Sequence, residues 1–217
     1  MLFPTLCVDG FFQNPDQAVS IAKQCPMNRT SDRPGTRSPC LSTVNIDFYN
    51  YVNTKILRIF YPQQDFSYIA HTHFQSTFPD ENTLDSWVHT DEDYMLTAIV
   101  YLNHCSVGTS IFTRKNEFAI PQFAGDIKHN YFANYESVDR QEREKIEKIR
   151  EEINSQYDES VNIRGKYNRF MCFDGNSYHT IQKGSCDEER LILISFIKDV
   201  RLMGTKTIFP VTQMNSL

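Results

Sequence analysis

Apolar positions along the chain fall into short runs, most of them suited to strands rather than helices. Leu2–Phe12 is short and apolar and reads as an edge strand. Phe66–Gln75 (FSYIAHTHFQ) alternates apolar and polar residues, the period of a half-buried strand. Tyr94–Asn103, Asn168–Phe173 and Arg190–Asp199 add further strands. In an unbroken strand from Arg190, the residues Arg190, Ile192, Ile194 and Phe196 share one face, and Leu191, Leu193, Ser195 and Ile197 share the other. Apolar character on both faces predicts a sheet covered on both sides.

Helical patterning is confined to three places. Asn14 is placed to cap a helix with Pro15 in its first turn, a buried stripe of Ala18, Val19, Ile21 and Ala22, and a stop at Pro26. Thr43–Tyr61 carries a helical face of Val44, Phe48, Val52 and Ile56 and is expected to pass into a strand over Ile56–Tyr61. Asn134–Tyr157 is charge-dense, with a thin stripe at Val138, Ile146, Ile149 and Ile153 and Glu–Lys and Glu–Arg pairs at helical spacing. It interrupts the strand series and reads as a surface helix inserted over 136–157: a solvated helix packed by one edge, a lid or a partner-binding face. The chain has no internal repeat and no composition break, so 217 residues are read as a single mainly β (α+β) domain.

Composition sets outer bounds. Hydrophobic content of 40% and charged content of 23% are those of a globular protein, and the 13% aromatic fraction favours β structure. A net charge of −5 and a pI near 5.7 supply no global attraction to nucleic acid or to an anionic membrane. The six cysteines form no CxxC pair, which argues against a zinc ribbon and a small disulfide scaffold. They read as free buried thiols of a reducing compartment. The N-terminus lacks the basic segment and cleavage site of a signal peptide, and no apolar run approaches a transmembrane length, so a cytoplasmic location is expected.

The candidate chemistry lies in Trp87–Asn103, WVHTDEDYMLTAIVYLN. His89 and Asp91 stand one residue apart ahead of a strand, so both side chains can reach one point. A neutral imidazole and a carboxylate at that spacing are two-thirds of a 2-His-1-carboxylate facial triad for non-haem iron(II). His179 follows a distant apolar run and offers the third ligand. Arg190 opens the next strand, where its planar fork can hold a carboxylate in a buried setting. A local ion pair with Glu188 or Glu189 is the plainer reading of Arg190. His71 and His73 form an HxH without a matching carboxylate and read as strand-face residues lining or flanking the cavity. Glu92 or Asp93 is a candidate acceptor for a ligating histidine. Trp87 is read as packing behind the metal strand or, alternatively, as stacking on a substrate.

These segments resemble the 2-oxoglutarate- and Fe(II)-dependent oxygenases, more narrowly their prolyl-hydroxylase-like branch and an uncharacterised bacterial and phage group within it. The resemblance runs through Val8–Pro26, Pro34–Leu41 (PGTRSPCL), Trp87–Phe112 and Asn168–Ile197, which bracket nearly the whole chain. It implies a double-stranded β-helix, or jelly roll, with N-terminal buttressing helices. It implies His89, Asp91 and His179 as iron ligands, Arg190 on the distal carboxylate of 2-oxoglutarate, and Tyr101 as a residue touching that co-substrate. Arg37 of PGTRSP lies in a loop and is read as a solvated residue shaping a turn or, alternatively, as a substrate contact. Fe(II), 2-oxoglutarate and O₂ would hydroxylate a protein, peptide or small molecule and release succinate and CO₂, with nucleic acid disfavoured. Two alternatives stand beside this: a cupin-like metalloenzyme that does not use 2-oxoglutarate, and a non-catalytic phage or structural interaction module.

Overall fold

The computed structural model describes residues 3–29, 35–78, 87–116, 139–182, 184 and 187–203. Among the described residues, ten strands form two antiparallel sheets: β1 (Leu6–Asp9), β2 (Asn28–Arg29), β3 (Thr36–Arg37), β4 (Asp65–Thr77), β5 (Leu96–Tyr101), β6 (Thr109–Arg114), β7 (Tyr157–Ile163), β8 (Arg169–Asp174), β9 (Tyr178–Ile181) and β10 (Arg190–Met203). The major sheet has the order β1-β8-β5-β10-β4-β3-β2 and the minor sheet β7-β6-β9. Helices α1 (Pro15–Gln24), α2 (Leu41–Val44) and α3 (Ile46–Phe60) precede the main strands, and α4 (Arg140–Asn154) lies between β6 and β7. This mainly β architecture is the expected one.

The two faces of β10 divide as the alternation predicts. Leu191, Leu193 and Ile197 enter the main core with Ala18 and Ala22 of α1, Val52, Ile56 and Leu57 of α3, and Phe74 of β4. Ser195, on the same face, is satisfied by the buried Asn53 of α3 (2.5 Å) and by Thr72 of β4 (2.9 Å). Arg190, Ile192, Ile194 and Phe196 turn the other way, into a cavity between the sheets. Helices α1 and α3 thus cover one face of the major sheet, and the minor sheet stands over the other.

Several details depart from expectation. Asn14 precedes α1, but its side chain makes no capping hydrogen bond; Pro15 holds the first turn. Helix α3 continues to Phe60, and the strand expected over Ile56–Tyr61 does not form. Val52, Asn53, Ile56, Leu57 and Phe60 are buried at helical spacing, so packing of one face outweighs the local preference of a branched run. Helix α4 occupies the inner part of the predicted insertion, with Ile146 and Ile153 buried; Val138 and the start of the 136–157 span lie outside the described residues. The reading of all six cysteines as buried free thiols is corrected in part. Cys105 is disulfide-bonded, Cys7 is free but exposed, and Cys25 and Cys40 are free and half-buried; Cys186 lies outside the described residues. Spacing rules detect only close pairs in sequence and miss thiols that folding brings together. Cys172 keeps the expected character: buried in the core, its thiol is pushed up to about 12. Among the described residues no helix is long and apolar enough to cross a membrane.

Candidate metal centre

The chain between β4 and β5 reaches the minor sheet through one backbone bridge. The His89 amide donates to the His179 carbonyl (3.1 Å), and the His179 amide donates to the His89 carbonyl (2.8 Å). Two residues on, the Asp91 amide donates to the Gly175 carbonyl at 2.7 Å. Gly175 is required here for close approach, since a Cβ would sit 1.9 Å from the Tyr94 carbonyl oxygen. These bonds bring His89, Asp91 and His179 together although 90 residues of chain separate the first from the last.

Their ligand atoms all lie within 4.8 Å of one another. Asp91 Oδ2 is 3.4 Å from His179 Nε2, and Asp91 Oδ1 is 3.9 Å from His89 Nε2. Each imidazole is held in one tautomer by a backbone carbonyl, which can only accept. His89 Nδ1 bonds the Trp87 carbonyl at 2.8 Å, and His179 Nδ1 bonds the Ser177 carbonyl at 2.9 Å. The proton therefore resides on Nδ1, and the Nε2 lone pairs point to the shared space. Thr97 of β5, fully buried, donates to Asp91 Oδ2 at 2.6 Å and orients the carboxylate. The donor set, two neutral nitrogens and one carboxylate on one side of a cavity, fits a divalent first-row metal with open positions. Glu92, offered as a partner for a ligating histidine, instead accepts from the exposed Thr90 hydroxyl.

Arg190 lines the same cavity and is 1% exposed. Its Nε donates to the Val107 carbonyl (3.0 Å) and Nη2 to Thr109 Oγ1 (3.4 Å). Nη1 is buried with no hydrogen-bond partner. Among the described residues no carboxylate pairs with it, and the adjacent Glu189 accepts from Ser76 instead. The plain ion-pair reading of Arg190 is thereby set aside for Glu189. Burial pulls the Arg190 pKa down and the Tyr101 phenol offsets this; a guanidinium remains charged under these conditions. Tyr101 is buried, places its ring 5.2 Å below the guanidinium, and donates to Thr109 Oγ1 (3.1 Å). It shapes the site by supporting Arg190 and does not itself line the cavity.

The cavity has a volume of about 490 Å³. Arg37, His71, His73, Gln75, Tyr94 and Phe196 form its other side, so both residues of the HxH line it as expected. Arg37 is delivered by Gly35, whose φ of +74° and close approach to the Ser76 carbonyl suit only glycine. Trp87 is not among the lining residues. Its indole is buried with Val88, Ile146, Ile153 and Tyr157, three of them on or just beyond α4. Sequence reasoning missed Thr97, and it missed the backbone carbonyls of Trp87 and Ser177 that set the tautomers.

A family model described as a family of unknown function, DUF6445, matches residues 3–185. The chain belongs to that family. The DUF6445 match spans all three clustered ligands and stops short of Arg190. Among curated proteins none matches the sequence. Solved structures similar to this DUF6445 chain include HygX from Streptomyces hygroscopicus with nickel, 2-oxoglutarate and hygromycin B bound, at 10% identity and a TM-score of 0.57, covering 89% of this chain and 82% of that one. The epimerase SnoN in complex with Fe3+, alpha ketoglutarate and nogalamycin RO is 12% identical with a TM-score of 0.54, covering 98% and 88%. The carbocyclase SnoK from nogalamycin biosynthesis is 11% identical with a TM-score of 0.53, covering 90% and 79%. At such identities the likeness is one of fold: this chain shares the jelly-roll fold of these three structures.

Proposed function

We propose that this protein is a non-haem Fe(II)- and 2-oxoglutarate-dependent dioxygenase that hydroxylates a substrate bound in the cavity. His89, Asp91 and His179 would hold the iron. Bound iron with 2-oxoglutarate and O₂ supplies oxidative decarboxylation to succinate and CO₂, coupled to oxidation of a substrate C–H bond. The protein's own part is geometric and electrostatic. The Trp87 and Ser177 carbonyls keep both Nε2 atoms available, Thr97 aims the Asp91 carboxylate, and the flanking isoleucines keep water from the wall.

The single observation that carries the reading is the buried Arg190 with its orphan Nη1. An unpaired buried cation is costly unless a ligand supplies the counter-charge. Arg190 bonds Thr109, which faces Ile181 across the β6–β9 ladder; His179, two residues earlier, faces Ile111. The ladder position that Arg190 bonds and the one that carries His179 are thus two residues apart on one face of the minor sheet, an arrangement suited to a short dicarboxylate chelating the metal at one end. A cupin-like enzyme without 2-oxoglutarate, or a non-catalytic module, gives Arg190 no such task.

The test is succinate release from 2-oxoglutarate under aerobic conditions with added Fe(II). Wild type releases succinate, Asp91→Ala does not, and Arg190→Ala raises the half-saturating 2-oxoglutarate concentration by about 10–100-fold, the loss of one charge-assisted bidentate contact. Unchanged turnover in Asp91→Ala, or an unchanged 2-oxoglutarate requirement in Arg190→Ala, overturns the assignment.

A further inference from the structure

The minor sheet has a second face. Thr109 of β6 and Ile181 of β9 line the metal cavity, and Ile111 belongs to the apolar cluster of Ile99 and Met171. Alternation therefore turns Ser110, Phe112 and Thr180 the other way. They open on a separate pocket of about 580 Å³, and of its described lining residues only Ile181 also borders the metal cavity. The register sets Ser110 between Asn162 of β7 and Thr180 of β9, a row of three short polar side chains across the sheet. Helix α4 supplies one end. Asn154 accepts from the Val88 amide at 3.0 Å, and both residues line the pocket. The inserted helix thus turns an open sheet face into a recess.

Two hydroxyls in this recess are short of partners. Thr180 is 6% exposed, and its Oγ1 is buried without a hydrogen bond. Ser110 is 2% exposed, and its Oγ accepts only a long bond from Asn162 Nδ2, at 3.4 Å. A buried hydroxyl left unpaired is costly, and a ligand that bonds it removes that cost. The amides beside them are held in fixed orientations. Gln182 Nε2 donates to Asn162 Oδ1 at 2.8 Å, and its Oε1 accepts from the Gly108 amide at 3.1 Å. Asn162 Nδ2 donates to Glu159 Oε1 at 2.8 Å. Charge exerts little net pull: among the described lining residues Arg164 and Glu159 are the charged side chains, and they cancel.

We infer that this pocket binds a neutral sugar. Ring hydroxyls donate and accept at once, which matches the Thr180 and Ser110 hydroxyls and the locked amides. The C–H face of a sugar ring has Phe112 and Val88 to lie against. A recess of this volume takes one or two rings. A charged ligand finds no net counter-charge there, and an apolar one leaves both hydroxyls unpaired. The site lies across the sheet from the metal ligands and stands whether or not the oxygenase reading does.

The experiment is saturation-transfer NMR titration of the full-length protein. The probes are glucose, galactose, mannose, maltose and lactose, with cyclohexanol, glucuronate and glucosamine for comparison. At least one neutral sugar is expected to bind about 10-fold or more tightly than cyclohexanol, and at least as tightly as either charged sugar. Thr180→Val keeps the side-chain shape and should weaken that sugar about 10-fold, the loss of one hydrogen bond to a buried group. Asn162→Leu, on the exposed part of β7, should weaken it similarly. The inference is overturned by no neutral sugar binding across the panel, by cyclohexanol binding equally well, or by a charged sugar binding best. Unchanged affinity in Thr180→Val overturns it too, or in Asn162→Leu should the first variant fold poorly. Binding lost in Ile194→Trp, which narrows the metal cavity, but kept in both other variants places the sugar in that cavity and equally overturns it.

Discussion

Thr97 shows how much of the centre depends on side chains that never touch a metal. Its hydroxyl bonds Asp91 Oδ2 and limits rotation of the carboxylate. Thr97→Val keeps the shape and deletes the bond, so affinity for Mn(II) or Fe(II) is expected to fall about 10–100-fold, the usual cost of losing an outer-shell partner. Equilibrium metal titration checks this, and unchanged affinity would remove Thr97 from the site. The residues legible in the sequence were those whose chemistry resides in the side chain: His89, Asp91, His179 and Arg190. Thr97 was illegible because a threonine in a strand signals only strand preference. The carbonyls that orient the imidazoles were illegible for a deeper reason, since every residue has one and only the fold selects which is used.

At the scale of elements, apolar runs located β4, β5, β8 and β10, and alternation assigned the two faces of β10 correctly. It failed at β7, where Asp158–Asn162 are all exposed and carry no inward stripe; that strand forms because it pairs with β6. It failed at the end of α3, where a branched apolar run belongs to a helix face. The edge strand β1 owes part of its attachment to charge. Asp9 accepts from Arg169 of β8 (2.6 Å) and from Lys166 (2.7 Å), and these cations hold its carboxyl well below the usual carboxylate range. A carboxylate depressed by folding stabilises above its unfolded pKa of about 4, and that contribution disappears as pH falls through the lower folded value. Asp9→Asn should therefore melt slightly lower than wild type from pH 5 to 8, with the two curves converging in strong acid. A difference that widened on acidification would contradict this seam.

Over the whole molecule, the candidate centre joins two sheets. His179 belongs to the minor sheet, Thr97 and Arg190 to the major one, and His89 and Asp91 to the segment between β4 and β5. A metal with 2-oxoglutarate should bind only the folded arrangement and so stabilise it, by about 2.7 kcal/mol at a hundredfold excess over Kd. For a domain of this length that corresponds to a melting-point rise of about 5–10 °C. Scanning calorimetry with and without both additives checks this; Asp91→Ala should show no metal-dependent rise. The reciprocal amide bonds between His89 and His179 carry a further consequence. Because main chain rather than the ion clasps the two imidazoles, the seat is finished before any cation arrives. Loading is then expected in a single bimolecular phase with no folding phase behind it, with divalent ions ranked by their own affinity for nitrogen and oxygen rather than by how far they can remould the host.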